Sequence, residues 1–479
     1  MTSDQRPPNV LMLTVDQQRS DTLGCYGGFG AQVCRTPHLD QLAAGGVRFR
    51  NAYTAVPLCS PARASLLTGL WPTHHGMLFN TSGADSLYHR ARVSDDVPVL
   101  GRVFRDAGYH TSYFGKSHVG SDEDMQRLGF DEGLPLGSAH GPHRGLYPKT
   151  DVIQRRWLLD PTVYSGITTA DGEDIVEIWY CRRAQEWLRR HASERRDRPF
   201  FCVLSTPGPH WPCVVPERYA ALYDWRDVPL PGNYHDTLDG KPAAHRICRD
   251  EAGESGTVSE EEWRKTLARY YALVTLIDDA FGETLRVLDE IGEANRTMVV
   301  YLSDHGDIMG AHRLFDKGPF MYEETVSIPL ILRWPRGIEA GRVVEPFVSI
   351  IDVLPTLAEA AGIAIPRPID GRSLWPLIRA QTPNDWPEDA YSQFFGHAPE
   401  RGLYDVRMLR TARHKLVYYP NDIDELYDEQ ADADEMHNLI DEPAYQSLRE
   451  ELQERLLWRM TQADDRLRVW MKRRAWSRR

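Results

Sequence analysis

Cysteine is scarce in this chain, and the few thiols do not form pairs at short spacing. Seven cysteines are scattered over 479 residues, and no CxxC spacing indicates a zinc site or a redox motif. An odd number of scattered thiols does not make a disulfide framework. We therefore expect the cysteines other than Cys59 to be free and mostly buried, as is typical of a reducing compartment.

Long apolar segments are also missing from the sequence. No run of apolar residues approaches the roughly 18 residues that a membrane span needs. The polar segment Met1 to Pro8 lacks the apolar core of a signal peptide. These absences predict a protein without membrane association and with a cytoplasmic location.

Positive charge is outnumbered by negative charge. The chain has 56 Lys and Arg residues against 69 Asp and Glu residues, which gives a net charge of −13. An acidic surface argues against nonspecific binding to nucleic acid. It leaves room for a small basic pocket that binds an anion.

Short apolar runs recur along the chain, and the first extends from Val10 to Val15. Such a run is typical of a strand that is buried on both faces of a parallel sheet. Similar runs are Phe200 to Leu204, Met298 to Leu302 and Leu330 to Leu332. Helical patterns lie between them, as in the three- and four-residue spacing of apolar residues from Leu267 to Leu288. The alternation predicts the α/β class, with a large and mostly parallel sheet sandwiched by helices.

The pattern changes near the end of the chain. Val406 to Leu409 and Lys415 to Tyr419 predict antiparallel strands around a turn, and apolar residues from Tyr445 to Met460 predict a helix. We therefore expect a larger α/β domain over residues 1–384 and a smaller α+β domain over residues 385–479.

The last residues, 466–479, are rich in Arg and Trp. A terminal segment of this kind is typically solvated or in contact with another subunit. A homo-oligomer is therefore one possible state of the protein.

Two long stretches, 121–171 and 232–257, lack clear periodicity. Loops of this length in a compact enzyme are usually functional or disordered. These stretches are candidates for selecting the substrate. His140, His143 and Arg144 in the first stretch either contact it or, as is usual for charged loop residues, are simply solvated.

The segment around Cys59 predicts a helix start beside a reactive position. Ser60 is a good N-cap and Pro61 a good first helical residue, and the helix would end at Gly69. Cys59 would then lie just outside a helix N-terminus, a place that favours anions and activates a thiol. Arg63 would lie about one turn into the helix and fold back toward the same place. On this segment alone, an incidental cysteine before a capped helix is an equally good interpretation.

Two pairs of polar residues follow buried strands. Asp16 and Gln17 close the first strand, and Asp304 and His305 close a later one. Loops at the carboxyl ends of parallel strands form the usual crevice for ligands. One such pair alone would be read as loop hydrogen bonding, but two pairs indicate a site for one divalent cation. The oxygen ligands favour Ca²⁺ or Mg²⁺, and the imidazole also allows Mn²⁺.

The segment Cys59-Ser60-Pro61-Ala62-Arg63, followed by Ser65-Leu66-Leu67-Thr68-Gly69, resembles the signature of type I sulfatases in the alkaline phosphatase superfamily. Other parts of the family pattern extend along nearly the whole chain. They are Asn9-Val10-Leu11 before Asp16, Gly115-Lys116-Ser117-His118, Pro209-His210-Trp211-Pro212, Ser303-Asp304-His305-Gly306-Asp307, Lys317-Gly318-Pro319-Phe320, and Leu426-Tyr427-Asp428 with Asn438-Leu439. The chain departs from the commonest pattern at two positions, because Gln17 stands where Asp is frequent and His305 where Asn is frequent.

The resemblance implies a hydrolase of sulfate esters whose nucleophile is made from Cys59. In this family a formylglycine-generating enzyme oxidises the cysteine to an aldehyde, which hydrates to a diol and attacks sulfur. Arg63 would hold the diol, and the substrate would be a small-molecule or saccharide sulfate ester. The resemblance favours Ca²⁺ as the metal, with these ligands: Asp16, Gln17, the modified Cys59, Asp304 and His305.

The resemblance also implies roles for the remaining polar residues. Lys116 and Lys317 would meet the oxygens of the sulfate group together with the metal. His210 with Lys317 would protonate the leaving alcohol, and His118 would act as a base. Asn80 either contacts the bound anion or makes a turn.

Two other functions remain open from the sequence. Phosphonate monoester and phosphodiester hydrolases of the same superfamily also use formylglycine, with metal ligands like Gln17 and His305. Lys116 and His118 favour a sulfatase over these enzymes. A noncatalytic anion-binding protein on this scaffold would lack some of the site positions, and none of them is missing here.

Overall fold

The computed structural model of the protein describes residues 6–81, 90, 92–120, 124–135, 148–157, 160–252, 255–396 and 404–477. His140, His143 and Arg144 lie outside the described residues. Within the described residues, no helix combines the length and the apolar character that a membrane span requires. All seven cysteines are described and free, and all except the half-buried Cys25 are buried, which confirms the expectation of free thiols.

Strands form the sheets of the molecule. They are β1 (Asn9–Asp16), β2 (Val47–Phe49), β3 (Ala52–Tyr53), β4 (His110–Gly115), β5 (Glu132–Pro135), β6 (Thr150–Trp157), β7 (Asp160–Thr168), β8 (Phe200–Pro209), β9 (Cys213–Pro216), β10 (Thr297–Ser303), β11 (Leu330–Arg333), β12 (Arg342–Val344), β13 (Val348–Ser349), β14 (Asp389–Phe394), β15 (Val406–Thr411), β16 (His414–Tyr418) and β17 (Glu425–Asp428).

Helices connect and cover these strands. They are α1 (Pro37–Ala44), α2 (Cys59–Thr68), α3 (Pro72–His75), α4 (Leu100–Asp106), α5 (Asp124–Arg127), α6 (Val176–Glu194), α7 (Glu217–Ala220), α8 (Ala243–Arg246), α9 (Glu260–Glu290), α10 (Glu323–Val326), α11 (Val353–Ala361), α12 (Trp375–Ile378), α13 (Gln446–Gln462) and α14 (Arg468–Ser477).

The main sheet has eight strands in the order β12-β2-β11-β10-β1-β8-β4-β5. At its centre, β1 pairs in parallel with β8 and β10, and β4 continues in parallel beside β8. β11 runs antiparallel to both β10 and β2. The sheet is therefore mostly parallel, and the apolar runs predicted as buried strands all belong to it.

Side chains of β1 alternate between two apolar layers. Leu11 and Leu13 belong to a core formed with α6 and α9, whereas Val10 and Met12 belong to a core formed with α2, α4 and α11. All eight residues of β1 are buried. Because both faces are covered, the strand is apolar throughout, and the predicted sandwich of a sheet between helices is confirmed.

The helix α9 shows how local sequence sets an element. Ser259 caps its first turn in a reciprocal capping box with Glu262. Its buried residues include Leu267, Val274 and Ile277, at the spacing that places them on one face. The helix runs from Glu260 to Glu290, as the apolar periodicity predicts.

A smaller antiparallel sheet lies toward the C-terminus. Its strands β14 to β17 are joined in chain order, and α13 packs on it. Leu452 and Leu456 of this helix share a core with Leu409, Leu416 and Leu426 of the sheet. The expected strands and helix are confirmed, and the domain boundary between residues 384 and 385 stays a prediction.

Parts of the two aperiodic stretches are regular in the structure. Residues 121–171 contain β5, β6 and β7, and the last two form a three-stranded sheet with β9. Residues 232–257 contain α8 and a π-helix, Ile247–Ala252. The expectation of loops is wrong in these parts. Register shifts in the β6–β7 pair interrupt the alternation by which a strand is recognised in sequence.

Candidate active site

Adjacent strands of the main sheet end at one place. β4, β8, β1 and β10 are neighbours and parallel, so their carboxyl ends share one edge, where ligands bind in sheets of this kind. Asp16 is the last residue of β1, and Lys116, His210 and Asp304 directly follow β4, β8 and β10. The sheet topology thus collects residues that are far apart in sequence.

Cys59 is the first residue of α2 rather than a residue outside it. The N-cap is Leu58, which has extended backbone angles and gives no side-chain cap. Asn80 supplies the cap instead, because its Oδ1 accepts a hydrogen bond from the Ser60 amide at 3.0 Å. Ser60 Oγ in turn accepts from the Thr81 amide at 3.0 Å. The prediction of Ser60 as N-cap is therefore wrong, since a distant loop takes over this function.

Four predicted metal ligands form one buried cluster. Asp16, Cys59, Asp304 and His305 each offer a ligand atom, and these atoms lie within 4.8 Å of one another. Cys59 Sγ lies 3.7 Å from Asp16 Oδ1 and 3.2 Å from His305 Nε2. His305 Nδ1 lies 2.8 Å from the Gly306 carbonyl, a contact that orients Nε2 toward the cluster.

Gln17, the fifth predicted ligand, lies beside Lys317. Its Oε1 accepts a hydrogen bond from Lys317 Nζ at 2.7 Å. Its Nε2 donates to Asp307 at 2.9 Å and to Asp316 at 3.0 Å. Hydrogen bonds therefore hold both the oxygen and the nitrogen of the Gln17 side-chain amide in the described structure.

Arg63 joins the two metal-loop carboxylates. Its Nη2 donates to Asp16 Oδ2 and its Nε to Asp304 Oδ2, both at 2.8 Å. Its Nη1 donates to the Lys116 carbonyl at 2.6 Å and to Ser205 Oγ at 2.8 Å. Its guanidinium thus fixes the carboxylates of β1 and of the loop after β10 relative to each other.

Lys116 and His118 reach the same cluster from the end of β4. Lys116 Nζ lies 2.6 Å from Asp16 Oδ2. His118 forms a side-chain hydrogen bond with Cys59, and burial lowers the pKa of its imidazole. An imidazole that is neutral near pH 7 can accept a proton.

His210 and Lys317 form a contact on another side of the site. Lys317 Nζ lies 3.0 Å from His210 Nε2. His210 Nδ1 lies 2.6 Å from the Trp211 carbonyl, which accepts a hydrogen bond and so assigns the proton to Nδ1. His210 Nε2 is then the acceptor toward Lys317.

Comparison with known proteins decides the family. A sequence model of the Sulfatase family matches residues 8–363. The chain belongs to the sulfatase family. A second model, of the C-terminal region of N-sulphoglucosamine sulphohydrolase, matches residues 310–462.

Two curated relatives of this sulfatase carry sulfatase names. It is 32% identical over 466 residues to the uncharacterised sulfatase YidJ of Escherichia coli, with 96% of this chain and 88% of the relative covered. It is 28% identical over 515 aligned residues to an N-acetylglucosamine-6-O-sulfatase of Bacteroides thetaiotaomicron, with coverage of 95% and 86%.

Solved structures share the fold along the whole chain. One is BT4656 in complex with its substrate D-glucosamine-2-N,6-O-disulfate, with 25% identity, a TM-score of 0.78 and coverage of 96% of this chain and 99% of that one. Another is the phosphonate monoester hydrolase SpPMH from Silicibacter pomeroyi, with 26% identity, a TM-score of 0.78 and coverage of 96% of both chains. Family and fold together make the protein a sulfuric ester hydrolase of the alkaline phosphatase superfamily, as the sequence predicts.

Opposed charges set the protonation states in the sulfatase site. Burial would raise the pKa of the Cys59 thiol, but Lys116, Lys317 and His305 outweigh burial and bring this pKa well below its usual value. Burial and Cys59 would raise the pKa of Asp16, but Lys116 and its cationic neighbours hold it well below its usual range. Burial would lower the pKa of His305, whereas its anionic neighbours raise it to about 9. The site therefore favours an anion at position 59.

Three polar residues of the sulfatase site were not singled out in the sequence. Ser205, near the end of β8, accepts from Arg63 and donates to the Lys116 carbonyl at 2.8 Å. Asp307 and Asp316 hold Gln17. For Asp316, its place directly before Lys317 was a usable signal, whereas a serine inside an apolar strand gives none.

Proposed function

We propose that this sulfatase cleaves the S–O bond of a small-molecule or saccharide sulfate ester, with a nucleophile made from Cys59 by a formylglycine-generating enzyme. One observation carries the proposal: the side chain at position 59 is 1% exposed and lies where Lys116, Lys317 and His305 converge on it. Once the thiol is converted to formylglycine, the hydrated aldehyde supplies the attacking oxygen. The same surroundings that favour a thiolate also favour an anionic oxygen at this position.

The donor set fits one divalent cation. Two buried carboxylates, Asp16 and Asp304, lie with His305 around position 59, and the Gln17 oxygen completes the proposed ligand set. Two carboxylates and an amide oxygen favour Ca²⁺, with Mg²⁺ as an alternative, and the imidazole keeps Mn²⁺ as a further alternative. When bound, a divalent cation supplies Lewis acidity for the nucleophile and positive charge for the anionic substrate.

Lys116 and Lys317 supply the fixed positive charge that a sulfate group needs. Both ammonium groups act on position 59, since both lower the pKa of its thiol. A preorganised cation in a buried site stabilises developing negative charge more strongly than the same cation in water. Arg63 holds Asp16 and Asp304 in place by its hydrogen bonds at 2.8 Å, and so orients the position that accepts the nucleophile.

Proton transfer is assigned to the two histidines. His210 Nε2 lies 3.0 Å from the ammonium group of Lys317, so the pair is placed to deliver a proton from Lys317 to the leaving alcohol. His118, hydrogen-bonded to position 59, is placed to remove a proton from a hydroxyl there, which releases sulfate. His210 thus acts where the ester S–O bond breaks, and His118 acts at position 59, where the bond between sulfate and the nucleophile breaks afterwards.

Asn80 is proposed as a contact for the bound anion. Its Oδ1 caps α2 at Ser60, which orients the side chain at the N-terminus that also carries Cys59. The amide nitrogen of Asn80 is then the group that donates to a sulfate oxygen. The capping contact explains how such a donor is held in place.

A saccharide is the substrate class that the relatives favour. The relative from Bacteroides thetaiotaomicron is an N-acetylglucosamine-6-O-sulfatase, and BT4656 binds D-glucosamine-2-N,6-O-disulfate. A homo-oligomer stays a prediction, supported by the exposed Trp458 and Trp470 on α13 and α14.

Phosphonate monoester or phosphodiester hydrolysis is the second candidate. It is favoured by the likeness to the phosphonate monoester hydrolase SpPMH and by Gln17 and His305 in the metal loops. Lys116 beside Asp16 at 2.6 Å favours the sulfate ester. Membership of an enzyme family argues against a noncatalytic anion-binding protein.

Kinetics with matched nitrophenyl esters separate the candidates. The protein is co-expressed with a formylglycine-generating enzyme, and kcat/KM is measured for the sulfate, phosphodiester and phosphonate esters. We expect kcat/KM for the sulfate to be at least about tenfold higher than for the other two. A higher value for the phosphonate or phosphodiester would reverse the assignment. C59A should abolish all three activities, whereas C181A, at a buried thiol of α6, is the matched control.

A further inference from the structure

The Gln17 amide lies between two acidic side chains from a later segment of the chain. Its Nε2 donates to Asp307 Oδ2 at 2.9 Å and to Asp316 Oδ1 at 3.0 Å. Gln17, Asp307 and Asp316 are all buried. Because a carboxylate accepts hydrogen bonds and an amide nitrogen donates them, the two acids determine which end of the amide carries the nitrogen.

The oxygen of the amide consequently points the other way. Gln17 Oε1 accepts from Lys317 Nζ at 2.7 Å, and an ammonium group has no acceptor. A flipped amide would place its N–H groups against Lys317 and its oxygen against both acids. The main chain of Gln17 is also constrained. Its φ is +65°, and its main-chain N–H donates to Asp304 Oδ1 at 3.0 Å.

Each acid is itself anchored. Asp307 Oδ1 accepts from the Met309 amide at 3.0 Å, and Asp316 Oδ1 also accepts from Lys317 Nζ at 2.9 Å. Met309 and Asp316 both have positive φ, a conformation that L-residues keep only where their surroundings impose it. The segment after β10 therefore holds both acids against the Gln17 amide.

The geometry points to Asp307 and Asp316 as positioning residues that fix the Gln17 amide with its oxygen toward Lys317, and to an amide as the required group at residue 17. The inference rests on the metal site proposed above, in which that oxygen is a ligand. A carboxylate at residue 17 would place a third acid against the other two. The two acids thus account for a glutamine where sulfatases frequently have an aspartate.

The test is a double-mutant cycle on metal affinity, measured by isothermal titration of the purified full-length protein with Ca²⁺ and with Mn²⁺. In D307N the new amide must direct an N–H at either Met309 or Gln17, and we expect the Kd to rise about tenfold or more. Q17E should bind metal more weakly than the wild type, because it opposes two acids. In the double variant the amide at residue 307 can donate to the glutamate, so Q17E should be at least about tenfold less harmful in the D307N background.

D352N is the matched control. Asp352 is also buried, but its carboxylate accepts from the main-chain amides of Ser349 and Arg372, both at 2.8 Å, so this variant should keep the wild-type Kd. If D307N does not fold, D316A removes the other acceptor, Asp316 Oδ1, and should also raise the Kd.

Several results would overturn the inference. An unchanged Kd in D307N and D316A, or strictly additive losses in the cycle, would do so while wild-type metal binding and sulfate-ester hydrolysis leave the proposed function intact. Absence of any divalent binding by the wild type would instead remove the proposed metal site, and the inference with it.

Discussion

The ammonium groups of Lys415 and Lys317 are both buried, with 0% and 6% of the side chain exposed, yet their neighbours differ. Lys415 Nζ lies 2.8 Å from Glu323, 3.3 Å from Glu429 and 2.8 Å from Glu435. An ammonium group has three N–H donors, and each of them here has a carboxylate nearby. Carboxylates of the chain thus balance the charge of Lys415. One of them, Glu323, belongs to α10, which follows Lys317 in the sequence.

Lys317 is surrounded by less negative charge. Its Nζ contacts one carboxylate of Asp316 at 2.9 Å, the neutral amide of Gln17 at 2.7 Å and the imidazole of His210 at 3.0 Å. Lys317 therefore has one such carboxylate contact where Lys415 has three. The comparison teaches that a buried lysine balanced by the chain supports the fold, whereas one balanced in part is available for binding and catalysis.

Replacing each lysine with methionine is the most direct test of the difference between Lys317 and Lys415. K317M should lower kcat/KM for a sulfate ester by about a hundredfold or more, because a preorganised cation is lost, while the protein stays folded. K415M should lower the free energy of unfolding by about 3 kcal/mol, because it leaves buried glutamates without their cation.

Steady-state kinetics and urea unfolding on both variants check this pair of outcomes. Activity per folded molecule should survive in K415M. Equal losses of activity in the two variants, with equal stability, would show that the balance of charge does not separate the two roles.

Removing the metal should affect the site and spare the smaller sheet. Dialysis against a chelator should abolish sulfate-ester hydrolysis and lower the Tm, since a ligand that binds the folded state stabilises it. Adding Ca²⁺ should restore both properties, and thermal unfolding with and without Ca²⁺ measures the change. Full activity after exhaustive chelation would contradict the proposed metal site.

Replacing His210 should produce a loss that depends on the leaving group. H210A should reduce kcat/KM by about a hundredfold for an unactivated alkyl or saccharide sulfate, which needs a proton on its leaving oxygen. An activated nitrophenyl sulfate should lose much less. Parallel measurements on both esters test this difference, and equal losses would remove His210 from the role of acid.

The smallest effect is expected at Glu177, a buried carboxyl group whose pKa is set mainly by burial. Burial raises the pKa of Glu177 to about 7, although hydrogen bonds from the main chain at Glu177 and Gly208 act to lower it. Since this pKa in the folded state lies above the ordinary value of 4.5, ionisation costs stability. The cost is absent below pH 4.5 and complete above pH 7.

E177Q removes that ionisation. The Tm of the variant minus that of the wild type should therefore be more positive at pH 8 than at pH 5, and thermal unfolding at the two pH values measures it. A difference that does not change with pH would show that Glu177 keeps an ordinary pKa.

Much of the fold was predictable because it depends on local and repeated patterns. β1, β8 and β10 are buried on both faces and therefore apolar throughout, and the helix from Glu260 to Glu290 has a long apolar face. The strands β6 and β7 were missed, because the pairing between them is irregular and the third strand of their sheet, β9, pairs with β7 from a later part of the chain.

The candidate site was predictable in composition and less so in detail. Asp16, Cys59 and the residues after β4, β8 and β10 follow from motifs at strand and helix ends. The capping of α2 by Asn80, and the two acids that hold Gln17, join segments far apart in sequence. Such contacts are set by tertiary packing, and no spacing pattern encodes them.

The central claim is that Cys59 is the precursor of the nucleophile. Its most direct test is the mass of the peptide that contains residue 59, from protein co-expressed with a formylglycine-generating enzyme. We expect a loss of about 18 Da, whereas ordinary oxidation of a thiol adds oxygen and raises the mass. An unmodified cysteine in a protein that still hydrolyses sulfate esters at full rate would contradict the account.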